Sequence, residues 1–139
     1  MTGTPAIDWD TLRATAREAT HRSYAPYSRV SVGAAAITSN GDLISGSNVE
    51  NASYGLTLCA ECSLVSDLAR HQGGRLIAAS IVAGDGQPIA PCGRCRQLLY
   101  EFGGRDLLID AGQGREPTRL SELLPDAFGP DDLPVRRTP

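Results

Sequence analysis

Behind Asp8, whose short carboxylate suits a helix N-cap, Trp9, Leu12, Ala16 and Ala19 recur at helical spacing until Pro26 forbids continuation. This pattern predicts an amphipathic helix over residues 9–23. SVGAAAITS (31–39) and DLISGSNVE (42–50) flank Asn40-Gly41, the dipeptide best suited to a two-residue hairpin turn, and so predict two antiparallel strands. Cys62, Val65, Leu68 and Ala69 form one stripe of a second helix over 58–71, which Gly73-Gly74 ends. LIAASIVAG (76–84) is an unbroken apolar run of strand length, as a buried strand requires. After a turn-rich stretch ending at Pro91, Cys95, Leu98, Leu99 and Phe102 share one face of a third helix, stopped by Gly103-Gly104. DLLID (106–110) predicts a further strand, Leu120, Leu123 and Leu124 a short helix before Pro125, and PVRRTP a frayed end. Helices alternating with strands around a mixed sheet predict a layered α/β architecture in one domain, residues 1–139.

With 139 residues, 41% hydrophobic and 21% charged, the chain has material for one core. A chain of this size buries roughly two-thirds of its unfolded surface, so it has no need of disulfides, and its four cysteines are free for other work. Acidic residues outnumber basic ones 16 to 13, which leaves no electrostatic footprint for a nucleic-acid backbone. No stretch approaches the roughly 20 consecutive apolar residues of a membrane span, and MTGTPAIDWDTL does not resemble a secretory leader; a cytoplasmic protein without membrane partners is expected.

The cysteines fall near two helix starts, Cys59 and Cys62 in LTLCAECSL, Cys92 and Cys95 in APCGRCRQLL. Cys92 and Cys95 lie three residues apart on a first turn, where both thiols can face one ion at about 2.3 Å. The exposed amides of that turn favour thiolate. A tetrahedral metal needs more, and Cys59, Cys62, His21 and His71 are the remaining sulfur and nitrogen donors. Cys59 is the choice, because it opens the earlier helix with Glu61 two residues on. Three protein ligands leave a fourth position open, as in catalytic rather than structural zinc sites. Zinc lowers the pKa of a bound water toward neutrality, and a nearby carboxylate can move its proton to a ring nitrogen and a leaving amine. Glu61 is the candidate shuttle. C-A-E followed by P-C-G-R-C matches the signature of zinc deaminases, in which hydroxide attacks C4 of cytosine.

YAPYSRVSVGAAA (24–36), GSNVENASYGLTLCAE (46–61), PCGRCRQLL (91–99) and LLPDAFGPDDL (123–133) stand in the order found in the small homotetrameric cytidine deaminases, which the chain resembles over nearly its whole length. The resemblance implies a three-layer α/β/α sandwich and one zinc per subunit on Cys59, Cys92 and Cys95, with Glu61 as proton shuttle. It further implies that Asn48 and Glu50 bind the ribose hydroxyls, that the backbone around Ala60 and Pro91 receives the exocyclic amine, and that Tyr54 and Phe128 complete sites shared between subunits of a homotetramer. The implied reaction is hydrolysis of cytidine, and of 2′-deoxycytidine, to uridine or deoxyuridine and ammonia, as in pyrimidine salvage.

Two positions differ from the pattern usual among such enzymes. Many carry arginine directly after the glutamate, where this chain has Cys62. Three thiolates and one Zn²⁺ sum to −1, which makes a bound water less acidic, and Arg94 or Arg96 is expected to supply the offsetting charge. Val30 stands where phenylalanine usually follows PYSR, leaving an apolar wall for the base without aromatic contact. Cys62 itself reads as a small buried apolar residue, and His21 and His71 as caps of helix carbonyls.

Overall fold

The computed structural model describes residues 6–134, so the end expected to fray lies, but for Pro134, outside the described residues. Helix α1 (Trp9–Thr20) starts where Asp8 accepts bonds from the Thr11 amide (3.0 Å) and hydroxyl (2.8 Å). It stops three residues earlier than expected. His21, Arg22 and Ser23 close it with bonds to carbonyls three residues back, and Tyr24 then pairs with the chain around Val49.

Strands β1 (Val32–Thr38) and β2 (Leu43–Ser47) form the expected antiparallel pair, joined by a three-residue rather than a two-residue loop. The Gly41 amide donates to Thr38 O, Thr38 pairs with Asp42, and Gly41 alone takes positive φ (+85°), so Asn40 keeps an ordinary conformation. β2 ends at Ser47 because Val49 turns aside to bridge both Tyr24 and Leu58.

Helix α2 (Ala60–Arg70), strand β3 (Leu76–Ala83), helix α3 (Gly93–Gly103) and strand β4 (Leu108–Ile109) follow, then strand β5 (Thr118–Arg119) and helix α4 (Leu120–Leu123). The sheet order is β2-β1-β3-β4-β5, with β3 and β4 parallel and the other neighbours antiparallel. Two buried clusters define three layers. Leu12 and Ala16 of α1 pack on Ala35, Ala78 and Val82 from one face. Ala34, Ala36, Ile44 and Ile81 meet Leu64, Leu68 and Leu99 of α2 and α3 on the other. Run together, these faces leave β1 covered on both sides, which explains its alanines.

Two glycines permit this close layering. A Cβ on Gly33 would lie 1.9 Å from Ala16 O, and one on Gly46 would lie 2.4 Å from both Ala60 O and Leu64 N. The α1 layer is also tied by charge. Arg13 donates to Asp110 through Nε (2.9 Å) and Nη2 (2.7 Å), and Ser80 Oγ donates to the same carboxylate (2.7 Å). All three residues are buried.

The stripe expected on α2 is displaced. Its buried positions are Ala60, Glu61, Leu64 and Leu68, whereas Cys62 and Val65 are half-buried and Ala69 is exposed. On α3, Cys95, Leu99 and Gly103 are buried, with Leu98 and Phe102 half-buried beside them.

Candidate metal centre

Cys59 and Cys92 each occupy an N-cap, in extended backbone directly before the first turns of α2 and α3. Cys95 follows within the first turn of α3. The packing of α2 beside α3 on one face of the sheet brings the three sulfurs within 4.8 Å of one another. Thiolates placed tetrahedrally at about 2.3 Å from zinc lie about 3.8 Å apart, so the triad is close to ligating geometry. Burial pushes the Cys95 and Cys59 thiols up. At Cys92 burial acts the same way but is outweighed by bonds from the Cys95 amide and thiol, which hold its thiol below the ordinary value. A dication supplies what this cluster needs to ionise fully, and soft sulfur donors suit zinc.

Glu61 sits in the first turn of α2 and is only 3% exposed. Burial raises its pKa above the usual carboxylate range. Its carboxyl shares a cavity of about 230 Å³ with Asn48, Cys59, Ala60 and Cys92, walled by Val32, Ile81 and Ile89. A protonatable carboxyl, two of the clustered sulfurs and apolar walls therefore meet in one recess.

Asn48 enters this recess as a tethered side chain. Its Oδ1 accepts from Ser23 Oγ and the Val32 amide (2.9 Å), and Nδ2 donates to Val30 O (2.8 Å), which leaves one N–H for a ligand. Glu50 lines a second recess of about 290 Å³ with Tyr27, Ser28, Tyr54 and Thr57. Its carboxylate accepts from the amides of Tyr27 (2.9 Å) and Ser28 (3.1 Å) and from the Ser28 hydroxyl. These bonds, the Ser28 hydroxyl's first, hold its pKa low. Thr57 lines both recesses and joins them.

Residues 8–110 match the family model described as the cytidine and deoxycytidylate deaminase zinc-binding region. The chain belongs to this family. It is 55% identical over 133 residues to a cytidine deaminase of Mycobacterium tuberculosis (strain H37Rv), covering 96% of this chain and 98% of the relative. A cytidine deaminase of Halalkalibacterium halodurans is 41% identical, with 91% and 98% covered. The crystal structure of the M. tuberculosis cytidine deaminase superposes with a TM-score of 0.85 at 54% identity, over 89% of this chain and 99% of that one. That of Mycobacterium leprae gives 0.82 at 52%, over 86% and 99%. This deaminase is thus a zinc-dependent hydrolytic enzyme.

Of the other expected site residues in the deaminase chain, Tyr54 lines the Glu50 recess, whereas Phe128 and Val30 line neither recess. Tyr54 is 75% exposed, its ring edge-on to Tyr27 with centroids 5.9 Å apart. Phe128 is 57% exposed and is fixed through its carbonyl, which accepts from Gln97 Nε2 (2.8 Å). Val30 is 54% exposed and lines neither recess; Val32, two residues on, supplies the apolar wall. Pro91 is buried, and its carbonyl accepts from Arg96 Nε (2.8 Å). Arg96 Nη1 donates to Leu123 O (2.9 Å), so that guanidinium is bound to backbone. Arg94 reaches Thr57 O (3.3 Å) and Cys62 Sγ (3.9 Å), and neither contact is to a sulfur of the triad. Cys62 is half-buried beside this arginine, not sealed in the core. His21 and His71 stand at the C-caps of α1 and α2; His21 closes α1 through its backbone N–H, whereas His71 also donates from Nδ1 to Asp67 O (2.9 Å).

Ser23, Ser28 and Thr57 shape the recesses without having been singled out from sequence. No motif spacing marks them. The serines act by bonding Asn48 and Glu50, which only the loop from Ser23 to Val30 folding back on residues 48–50 brings about.

Proposed function

We propose that the chain hydrolyses the 4-amino group of cytidine, and of 2′-deoxycytidine, releasing uridine or deoxyuridine and ammonia. The observation that carries this is the buried carboxyl of Glu61 in one cavity with Cys59 and Cys92. Cys59, Cys92 and Cys95 would hold the zinc, which would supply the acidity that a water beside the substrate needs. Glu61 accepts a proton from that water, delivers it to the ring nitrogen next to C4, and passes a second, taken from the hydroxyl newly bound to C4, to the departing amine. A C4–O bond forms and the C4–N bond breaks, so one water is consumed per ammonia. Its raised pKa brings Glu61 nearer the working pH, as a group that must both take and give a proton requires.

Val32, Ile81 and Ile89 hold the flat base, and the backbone at Ala60 faces the exocyclic amine. The free N–H of Asn48 and the ionised Glu50 bond the sugar hydroxyls across Thr57. Tyr54 and Phe128 project from the chain, as they would to complete the sites of neighbouring subunits in a homotetramer. The four free thiols suit a reducing cytoplasm.

The test follows the absorbance fall of cytidine with zinc-loaded protein and with Glu61→Ala of verified zinc content. Turnover by the parent alone is expected. Zinc binding by both without turnover of either nucleoside would assign the site to another amine.

A further inference from the structure

Arg94 stands on the turn of α3 between Cys92 and Cys95, yet its guanidinium crosses to the segment that carries Cys59. Its two acceptors bracket that cysteine in sequence: Thr57 O lies two residues before it and Cys62 Sγ three residues after it. The three sulfurs come from two separate helix starts, so their spacing depends on how firmly those starts are held together.

We propose that Arg94 is a positioning residue that clamps the Cys59 turn against the Cys92–Cys95 turn, fixing the sulfur triad and, through Thr57, the wall shared by the two recesses. This rests on the zinc reading of the triad and concerns how well the metal is retained. A planar guanidinium can span a carbonyl on one side and a sulfur on the other, whereas an ammonium presents a single point of donation. The charge also suits its place. Three thiolates with one Zn²⁺ carry −1, so a cation on the adjoining turn is attracted to the loaded site. Arg96, the other guanidinium nearby, is committed to Pro91 O and Leu123 O.

The test compares zinc-loaded full-length parent, Arg94→Ala, Arg94→Lys and Cys62→Ala for zinc release to a chromophoric chelator, and the same proteins loaded with cobalt by visible absorption. Outer groups that orient metal ligands are worth about 10–100-fold in metal affinity, so Arg94→Ala is expected to release zinc at least 10-fold faster and to shift the cobalt bands. Arg94→Lys should recover part of the loss, and Cys62→Ala, which keeps the Thr57 bond, should lose less than Arg94→Ala. With metal held saturating, KM should rise more than kcat falls, because Thr57 belongs to the recess wall. Release within twofold of the parent and superimposable cobalt spectra would overturn the clamp while leaving the zinc site standing. A parent that binds neither metal would overturn the zinc reading and the clamp with it. Should Arg94→Ala not fold, the comparison of Arg94→Lys with the parent decides the matter by the same criteria.

Discussion

Replacing Gly46 by alanine tests whether the fit of β2 against α2 sets the chemistry. The added Cβ would stand 2.4 Å from Ala60 O and Leu64 N, where ordinary contact begins near 3.4 Å. Both atoms are backbone, so no side-chain rotation relieves the clash, and α2 must withdraw by about 1 Å. That helix starts at the Cys59 cap and carries Glu61 in its first turn. Overpacking of this kind costs about 1–3 kcal/mol of stability, and a displacement of about 1 Å at reacting groups can cost about 10²-fold in rate. Gly33→Ala is the matched control. Its Cβ would stand 1.9 Å from Ala16 O, forcing α1 off the opposite face, and α1 supplies no residue to either recess. Both variants should unfold at lower urea than the parent. Only Gly46→Ala should lose about 10²-fold in kcat per bound zinc, assayed well below its unfolding midpoint, while Gly33→Ala stays within about threefold. Equal losses in the two variants, or a Gly46→Ala protein with parental kcat, would show that the site does not depend on the seating of α2.

Glu61→Gln keeps the shape of the side chain but cannot carry the proton, so activity should fall by about 10²–10⁴-fold with zinc content, measured by elemental analysis, unchanged. Cys95→Ser should bind zinc weakly, and its thermal midpoint should no longer respond to added zinc, whereas the parent should gain about 4 kcal/mol at a zinc concentration 1,000 times the dissociation constant. Asp110 offers a pH test. Burial pushes its carboxyl up, but the bonds from Arg13, Ser80 and the Gly112 amide outweigh this and hold its pKa below the unfolded value. A depressed folded pKa gives stability that is present above the unfolded pKa of about 3.9 and is lost as pH falls through the folded one. Asp110→Asn should therefore cost about 3–5 kcal/mol at pH 7, since it leaves buried Arg13 with only the exposed Asp10 (3.4 Å) as counter-charge, and urea midpoints of parent and variant should converge as pH falls below about 4.

The sequence was most readable where one kind of residue permits one outcome. Asp8 caps α1, Gly41 takes the left-handed turn, and three of the four cysteines at two helix starts, Cys59, Cys92 and Cys95, come together at one point. It was least readable where pairing at a distance decides. β5 has two residues, too few for any period, and exists because Leu108 and Ile109 offer a free edge to Arg119 and Thr118. The hairpin kept Asn40-Gly41 but gained a third loop residue, because the Thr38–Asp42 pair closes around it.

The hydrophobic stripe was displaced in α2, where Glu61 is buried, and in α1 it held at Leu12, Ala16 and Ala19 but passed over Arg13; each is a charged residue on a buried face. Periodicity ranks such positions as outward, which is why the α2 stripe was drawn through Cys62 and Ala69. Local rules are expected to break at functional or strained sites, but the two residues break them for different reasons. Arg13 meets an opposite charge that answers its own, with two bonds to one carboxylate, so its burial is complete within the chain. Glu61 has no cationic partner among the described residues, and its carboxyl opens on a cavity beside two thiols. A buried carboxyl without a counter-charge costs stability unless something that binds there uses it. That difference in charge balance, and not burial alone, is what separates the catalytic candidate from the structural one.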